Sequence, residues 1–435
     1  MIPFPSQEPA IADAPHGPPL QPAVRRRARR DDVVVRVTPV RGRRDLSKWI
    51  RFPRRRVYAR DSPWVPPLDS DLRRMVDPRR NPYFRHADAR LVLARDHRGH
   101  VLGRALLHVN HRHNVRHDER AAFFGFFECL DDPQAARALV AAATEYGAQH
   151  GCTVLRGPFN LTVSQEMGIL VDGFDEPPTV DLTYTAPYYP ALLEAAGLHA
   201  VFPVTTFRTD DLSELDPEAM LGPRQHAWRA GGRLRIRTAR LDAFEEELEL
   251  IREISNDAFY DSPYFVSLTR AEFRFQVAPY QRLLDPDLTL IAEIDGVPCG
   301  FVIATPDFSP LLRRMRGRSG LRELVIFRRG RAAIHDAVGT FMGVQRHLRS
   351  HGVMRLLQSE LVRALKRRHY RSLTITWMSE ENGEARAMAA VLRGRPVHRL
   401  VLYEGQIPAP DDDPAATPTM EATQADGIDK HAPGG

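Results

Sequence analysis

Cysteine is scarce in this chain, and its scarcity limits the kinds of site that can be built. Only Cys129, Cys152 and Cys299 occur among 435 residues. Their spacing matches neither a disulfide framework nor a zinc or redox motif. We therefore expect reduced, mostly buried thiols and a cytoplasmic protein. A packing role is the simpler interpretation of each thiol, because no activating partner is apparent beside it.

Long apolar runs and lysine are scarce as well. No stretch approaches the roughly 20 apolar residues of a membrane span, and no signal peptide is apparent, so we predict no transmembrane segment. A hydrophobic content of 43% and a mean hydropathy of −0.37 suit a globular protein with two buried domains. Lysine occurs only at Lys48, Lys366 and Lys430, so arginine carries nearly all of the positive charge in a chain of net charge +6. Base composition explains the general bias, but local arginine clusters suit phosphate groups.

The two ends of the chain differ in composition from the rest. Residues 1–31 are rich in proline and include a basic run from Arg25 to Arg30, and residues 406–435 are similarly poor in apolar side chains. Such segments do not bury enough apolar surface to fold, so we predict a disordered leader and a disordered tail.

A succession of element signals in the second part of the chain predicts alternating strands and helices. Residues 288–304 form two apolar runs around Asp295-Gly296, a strong hairpin signal. A strand at 337–344, a helix from 353, a β-branched strand at 372–377, a helix at 384–392 and a last strand at 399–403 follow.

The same succession occurs earlier in the chain. Residues 91–107 parallel the later hairpin, and a strand at 123–129, a helix at 133–147, a strand at 153–157 and a helix at 189–196 come after them. A repeat of this length is stronger evidence of architecture than a local motif. We therefore predict two domains, a first copy at 32–212 and a second copy at 213–405.

The second copy contains a basic turn, which we define as residues 345–354, between a strand and a helix. It includes Arg349, Ser350, His351, Gly352, Val353 and Met354. The first N–H groups of a helix have no intrahelical acceptor, and the helix dipole makes that end positive. Such a turn predicts an anion-binding site suited to phosphate.

These features resemble the GNAT superfamily of acyl-CoA-dependent acyltransferases. The family pattern in this turn is Arg/Gln-x-x-Gly-x-Gly/Ala; Arg349 and Gly352 match it, and Met354 departs from it. The element order over residues 32–404 also resembles that of bacterial tandem GNAT proteins, as do four shorter segments: 81–86, 123–128, 157–160 and 170–175. The resemblance implies an α/β (α+β) fold of two tandem GNAT-like domains. Each would be a mixed, mostly antiparallel twisted sheet flanked by helices.

The resemblance also implies a function and a donor. It indicates an N-acyltransferase that uses acetyl-CoA or a longer acyl-CoA and no metal. The amine of a small molecule or amino acid would attack the thioester directly. By the resemblance, the amides of the basic turn, Arg349 to Met354, would hold the coenzyme pyrophosphate. Met342, Gly343 and Val344 would pair with the pantetheine arm. Asn382 would contact the coenzyme or serve as a plain helix cap.

The acid and the base are harder to assign. Many family members carry a thiolate-protonating tyrosine in the helix after the position of Asn382, and this chain has none there. Tyr403 is a candidate acid if the last strand bends inward, although a packed strand tyrosine is the simpler interpretation. Glu381, or its neighbour Glu380, is a candidate base. Three carboxylates of the first copy are alternatives on the acceptor side, namely Glu128, Glu166 and Asp172.

The first copy lacks the basic turn. Its strand runs into Leu130-Asp131-Asp132-Pro133, which is an ordinary helix start with an acidic cap and a proline. A carboxylate in this position would repel a pyrophosphate. We therefore predict that the first copy is degenerate and that the second copy holds the only coenzyme site.

Other functions remain open at this level. The arginines of residues 313–331 would suit an acyl carrier protein as donor, or a peripheral membrane contact. The departures at Met354 and at the missing tyrosine would suit a binding protein without turnover. Nucleic-acid binding has only net charge in its favour and is not expected. His108, His111, His113 and His117 form a cluster in which a strand would place the middle pair on one face. No carboxylate or cysteine completes a metal set with them, so no metal site is expected.

Overall fold

The computed structural model describes residues 34–163, 165–281, 283–381 and 383–408. Within these ranges the chain forms one mixed sheet of thirteen strands and twelve α-helices. The strands are β1 (Arg36–Pro39), β2 (Ala87–Arg95), β3 (Val101–Asn110), β4 (Ala121–Cys129), β5 (Val154–Gly157), β6 (Ile169–Asp172), β7 (His199–Thr209), β8 (Leu234–Thr238), β9 (Thr289–Ile294), β10 (Val297–Pro306), β11 (Asp336–Val344), β12 (Ser372–Ser379) and β13 (Arg395–Gln406). The helices are α1 (Gly42–Phe52), α2 (Asp69–Met75), α3 (His111–His117), α4 (Pro133–Gln149), α5 (Tyr189–Ala195), α6 (Pro223–Ala230), α7 (Phe244–Ala258), α8 (Arg270–Val277), α9 (Ser309–Met315), α10 (Leu321–Gly330), α11 (Val353–Arg367) and α12 (Gly383–Val391).

The predicted repeat is present in the element order. The hairpin β2–β3 with β4, α4 and β5 in the first copy corresponds to β9–β10 with β11, α11 and β12 in the second. In each copy the long helix connects two parallel strands, β4 to β5 and β11 to β12. The aromatic run of β4 was expected to be sheet core, and all nine residues of that strand are buried. The fold class predicted from the sequence is therefore confirmed.

The last strand of each copy lies in the other copy's part of the sheet. The central order is β5-β13-β7-β12, so β13 pairs antiparallel with β5, and β7 pairs antiparallel with β12. The two exchanged strands also pair with each other. This exchange joins both copies into one continuous sheet. The boundary at residues 212 and 213 stays a prediction.

The connections between the third and fourth strands of each copy also cross between copies. Helix α3, which follows β3, contacts the second copy: Arg112 binds Glu272, and His117 Nε2 bonds to the carbonyl of Phe265. Helices α9 and α10, which follow β10, contact the first copy: Arg313 donates to the carbonyl of Ser62 at 3.1 Å. In the first connection Arg112 is paired with a carboxylate of the second copy, whereas the second connection contains many arginines.

Several sequence-based expectations change in the structure. Most of residues 310–331 lie in helices α9 and α10, and His111, His113 and His117 lie on a helix rather than on a strand. Strand β13 extends through Gln406, and Ile407 is buried, so residues 406 and 407, which were assigned to the predicted tail, belong to the folded part of the chain. The basic run Arg25–Arg30 and Asn382 lie outside the described residues. No described helix is both long and apolar enough to cross a membrane.

Candidate functional site

Strand β11 separates from its parallel neighbour before it reaches the basic turn. Its pairing with β12 runs only from Asp336 to Gly339, so the β12-facing edge of Thr340–Val344 is not paired with that strand. The register with β10 slips at Thr340, which is the signature of a bulge that turns the strand away. Met342, Gly343 and Val344, the predicted pantetheine-binding residues, pair with β10 through their other edge. An extended ligand chain could therefore pair with the free edge of this strand.

The basic turn leads directly into α11. Residues Arg346–His351 form a short 3₁₀ turn, and Gly352 adopts the left-handed conformation at φ 82° and ψ 14°. A side chain rarely adopts this φ, so glycine is well suited to the position. Among the residues that the structure describes, no side chain caps α11 at Gly352. The first N–H groups of α11 thus keep the hydrogen-bonding capacity that an anion uses.

The other predicted residues of the turn surround this helix start. Val353 is fully buried under the sheet, Met354 is half-buried, and Ser350 is exposed. The Nδ1 atom of His351 is buried and has no hydrogen-bond partner among the described residues. An uncapped helix start beside an unpartnered imidazole nitrogen fits a phosphate group.

Part of the positive charge of the turn is already neutralised. The backbone N–H of Arg346 donates to Asp257 Oδ2 at 2.7 Å, and its guanidinium also binds Asp261. Arg349 donates to the carbonyl of Ala258 and lies 3.7 Å from the Asp261 carboxylate. A phosphate at this turn would therefore depend mainly on backbone amides and less on the arginine side chains.

The corresponding helix start in the first copy is closed. Asp132 Oδ1 accepts hydrogen bonds from the N–H groups of Gln134 at 3.0 Å and of Ala135 at 3.2 Å. The carboxylate of Asp132 thus occupies the position that a phosphate would take. This geometry agrees with the sequence argument for an asymmetric pair of copies, although coenzyme binding itself stays a prediction for both.

The free edge of β4 in the first copy is also closed. Its pairing with β5 ends at Phe123, and the following loop then bonds to it. Phe159 N–H donates to the carbonyl of Phe124 at 2.8 Å, and Phe126 N–H donates to Asn160 Oδ1 at 2.6 Å. The edge that is left free in β11 is therefore occupied in β4 by residues of the protein itself.

A small cavity of about 60 Å³, lined by both charged and apolar side chains, lies beside this loop in the first copy. Glu166, which lines it, accepts a hydrogen bond from Asn160 Nδ2 at 2.8 Å. Burial, reinforced by the nearby Asp181 carboxylate, raises the pKa of Glu166 to about 7. A carboxylate with this pKa takes up and releases a proton near neutral pH.

Two further charged groups line the same cavity. Glu128 accepts hydrogen bonds from Tyr189 at 2.7 Å and Tyr58 at 3.0 Å, and burial raises its pKa despite the nearby Arg104. Arg104 is 4% exposed and donates to the carbonyl of Trp49. Its Nε has no hydrogen-bond partner among the described residues. A buried donor without a partner is costly, and a ligand in the cavity could satisfy it.

The structure does not bring the predicted acid and base together. Tyr403 is 1% exposed in the core of the first copy, where it pairs with Gly157 on β5 and its hydroxyl lies 3.4 Å from Glu194. The strand exchange places it there, away from the basic turn. Glu381 is exposed on the turn after β12. Its neighbour Glu380 binds Arg399, and that ion pair lowers the pKa of Glu380.

Sequence reasoning named Glu128 and Glu166 only as alternatives and missed Arg104. The signal that could have drawn attention to them is a charged residue inside an apolar strand, which holds for Arg104 and Glu128. For Glu166 no such signal exists, because its burial comes from chain segments distant in sequence. Asp172, the third alternative, is exposed at the end of β6.

Comparison with known proteins adds relatives of nearly equal length. No protein-family model matches the chain. Protein YghO of Escherichia coli is 28% identical over 374 residues, which are 83% of this chain and 93% of that protein. A bacterial ceramide synthase of Caulobacter vibrioides is 26% identical over 376 residues, which are 85% of this chain and 96% of that protein.

Solved structures give the fold. A tandem GNAT protein from the clavulanic acid biosynthesis pathway matches with a TM-score of 0.52 at 17% identity, over 87% of this chain and all of that one. A GCN5-related glucosamine N-acetyltransferase region in a fungal multi-domain β-N-acetylglucosaminidase matches with the same score at 12% identity, over 86% of this chain and 38% of that one. Together with the repeated elements and the bulged, splayed strand β11, these matches identify the chain as a tandem protein of the GNAT fold.

Proposed function

We propose that this protein is an acyl-CoA-dependent N-acyltransferase whose donor binds at the basic turn of the second copy. The observation that carries the proposal is the contrast between the two helix starts. Within the described part of the chain, α11 begins at Gly352 without a side-chain cap, whereas α4 is capped by Asp132. The free edge of β11 leads to the open helix start, as a bound pantetheine arm would require.

The acceptor we propose is a long-chain amine. The ceramide synthase relative aligns over 96% of its own length, so both copies are included in the similarity. A ceramide is the fatty amide of a long-chain amino alcohol, and its synthesis by acyl transfer forms an amide bond. Such an acceptor is one kind of the small-molecule amine that the resemblance to GNAT proteins implied.

The proposed reaction needs no covalent enzyme intermediate. The neutral amine nitrogen attacks the thioester carbon, the carbon–nitrogen bond forms, and the carbon–sulfur bond breaks to release the coenzyme thiolate. The attacking nitrogen loses one proton, and the thiolate gains one. The protein's contribution is to hold both reactants, to supply backbone N–H groups to the oxygen, and to accept the amine proton.

A second location for the amino group of the acceptor, without its long chain, is favoured by the cavity of the first copy. Glu166, with its pKa near neutrality, could accept a proton from an ammonium group, and Glu128 would add negative charge. The unpartnered Nε of Arg104 could donate to a hydroxyl or carbonyl oxygen.

The test is a transfer assay with the purified full-length protein. Acyl-CoA donors from two carbons to long chains would be combined with a long-chain amino alcohol or with short amines. Free thiol release and amide formation would be measured together. We expect an amide only when donor and long-chain amine are both present. Matched variants at Ser350 and Glu166, described in the Discussion, separate the two locations.

Two results would overturn the proposal. If the amide formed only with an acylated acyl carrier protein, the donor would be that protein and not acyl-CoA. Tight coenzyme binding without product from any amine would indicate a binding protein of this fold. Because thiol release and amide are measured separately, simple thioester hydrolysis would be distinguished from transfer.

A further inference from the structure

A strongly charged cleft lies apart from the basic turn. A cleft of about 590 Å³ is formed between α1 with the turn after it and the helices α9 and α10. Eight arginines line it together with only two carboxylates, Asp69 and Glu323. This excess of arginines over carboxylates is local to the cleft. The preference for arginine over lysine throughout the chain therefore does not account for it.

Both carboxylates of the cleft already have partners. Asp69 binds the guanidinium of Arg54 through both oxygens, at 2.6 and 2.8 Å, and lies 3.3 Å from Arg51. Glu323 accepts a hydrogen bond from Gly320 N–H at 3.0 Å and so caps α10. Among the described residues, the remaining arginines of the cleft have no carboxylate within 4.0 Å: Arg55, Arg60, Arg314, Arg316, Arg318 and Arg322.

The cleft is held in place by bonds between the two copies. Asp69 N–H donates to the carbonyl of Gly317 at 2.9 Å, and Arg54 donates to the carbonyl of Arg316 at 3.2 Å. Its walls are therefore fixed before any anion binds, which lowers the ordering cost of binding. In the equivalent connection of the first copy, α3, Arg112 pairs with Glu272 and Arg116 donates to the carbonyl of Tyr260, so both arginines of that helix have partners in the second copy.

An apolar surface adjoins the arginines on α10. Leu321 is 85% exposed, Leu324 44% and Val325 47%. Their spacing places them on one face of the helix, next to Arg322. Unpaired arginines beside exposed aliphatic side chains match the two chemistries of a bilayer surface, which are anionic headgroups and acyl chains.

We propose that this cleft and the exposed face of α10 dock the protein on membranes that contain anionic phospholipids. Arginines bind the headgroup phosphates, and Leu321, Leu324 and Val325 enter the acyl boundary. Trp64, Pro67 and Leu72 line the cavity of Glu166, and Asp69 of the same segment lines the cleft. Docking would thus bring the Glu166 cavity close to the lipid surface. The proposal concerns attachment and does not depend on the proposed reaction.

The test is sedimentation of the full-length protein with lipid vesicles. Vesicles of equal parts phosphatidylglycerol and phosphatidylcholine would be compared with pure phosphatidylcholine vesicles. We expect binding to the anionic vesicles. This binding should weaken as the salt concentration rises, because salt screens the attraction between the arginines and the headgroup phosphates. The triple variant Arg314→Ser, Arg318→Ser, Arg322→Ser should bind on the order of 100-fold more weakly, since each basic residue near an anionic surface contributes to attachment.

A matched control removes the same charge elsewhere. The exposed arginines Arg137, Arg367 and Arg371 lie outside the cleft, and their replacement by serine should leave vesicle binding within about threefold of the original. The double variant Leu321→Ser, Val325→Ser keeps every arginine and should weaken binding by roughly tenfold. Circular dichroism and thermal unfolding would confirm that each variant is folded.

Three outcomes would overturn the proposal. The first is no binding of the original protein to anionic vesicles. The second is equal loss of binding in the cleft variant and in the control variant, which would show that only net charge matters. The third is tight binding of an acidic acyl carrier protein through the same arginines without vesicle binding, which would assign the surface to a protein partner.

Discussion

The N–H group of Phe159 donates to the carbonyl of Phe124 at 2.8 Å, and this bond distinguishes the two copies of the repeat. It attaches the loop after β5 to the edge of β4, where a ligand chain would otherwise pair. Among the described residues, no such loop is bonded to the matching edge of β11 in the second copy; the Thr376 hydroxyl lies 3.4 Å from the carbonyls of Gly339 and Thr340. The copies therefore share a fold and differ in whether their central strand can receive a ligand.

Ser350 offers a direct test of the coenzyme site. The Ser350→Glu variant places a negative charge beside the uncapped start of α11, and we expect coenzyme A to bind at least tenfold more weakly. Ser350 is exposed, so the fold should persist. Titration calorimetry would measure the affinity, with Ser350→Gln as a neutral control of the same size. Equal affinity of both variants would remove the basic turn as the donor site.

Gly352 is a less suitable position for this test than the sequence suggests. A Cβ there would lie 1.9 Å from the Gln225 amide nitrogen, and φ is 82°. A substitution at Gly352 would therefore disturb the packing of α6 and α11 as well as any bound phosphate. If such a variant lost coenzyme binding, the loss could come from the disturbed packing or from the blocked phosphate site, and the measurement would not separate them.

The stoichiometry of binding tests the asymmetry of the copies. Because Asp132 caps α4 and Phe159 closes β4, we expect one coenzyme A per chain. The Asp132→Ala variant should lose about 1 kcal/mol of folding free energy through its missing cap, with unchanged coenzyme affinity. Calorimetry and chemical unfolding provide the two measurements. Two coenzymes per chain, or weaker binding in the Asp132→Ala variant, would contradict the assignment.

Glu166 should make stability depend on pH. Its pKa is raised in the folded protein from an ordinary 4.5 to about 7, so the folded state binds a proton more tightly than the unfolded state does. The favourable contribution is complete below pH 4.5 and is lost as pH rises through 7, by roughly 2–3 kcal/mol. In Glu166→Gln this dependence should disappear, because glutamine does not ionise and can still accept the bond from Asn160.

Urea unfolding at pH 5 and pH 8 would measure the free energy of unfolding of the original protein and of the Glu166→Gln variant. Parallel stability curves across this range would contradict the raised pKa. The same variant reports on the reaction: if the first copy holds the amine, Glu166→Gln should lower kcat at least 100-fold and leave coenzyme affinity unchanged.

Gly125 should be intolerant of any side chain. A Cβ at this position would lie 1.8 Å from the carbonyl oxygen of Phe159, and backbone atoms cannot yield as a flexible side chain can. We expect Gly125→Ala to destabilise the protein by about 2–4 kcal/mol. The control is Gly383→Ala, where a Cβ would meet nothing within 4 Å and the change should be below about 1 kcal/mol. Similar melting temperatures for the two variants would show that the loop after β5 does not rest on β4.

Tyr403 should have little influence on the reaction. The Tyr403→Phe variant removes a hydroxyl that lies 3.4 Å from Glu194 in the core of the first copy. We expect a rate of thiol release within about twofold of the original, whereas loss of a general acid costs about 100-fold or more. A large fall in kcat with normal folding would restore Tyr403 as the acid.

The repeat of elements could be predicted because each element carries its own local signal. The period of apolar residues from Val353 to Leu365 indicates a helix, and Asp295-Gly296 marks a hairpin. The closed helix start of the first copy was also predictable, since Asp132 followed by Pro133 is a local capping signal. These predictions depend on neighbours along the chain, so they need no knowledge of tertiary contacts.

Other features depend on segments far apart in sequence. The sequence does not show that β7 and β13 exchange places, because strands of similar composition pair equally well in either copy. That exchange places Tyr403 in the core of the first copy. The burial that raises the pKa of Glu166 comes from the strands, the loop after β5 and α2 together.

The sequence by itself thus determined the fold class, the repeat and the difference between the two helix starts. Each of these follows from local patterns of polarity and backbone preference. Only the tertiary structure decided which charged groups stand together. It collected arginines from α1, the following turn, α9 and α10 into one cleft, and it brought Arg104, Glu128 and Glu166 around one cavity. The physical reason is that the pKa and free energy of a charged group depend on solvent exposure and on charges within a few ångströms, and the pairing of distant strands sets both.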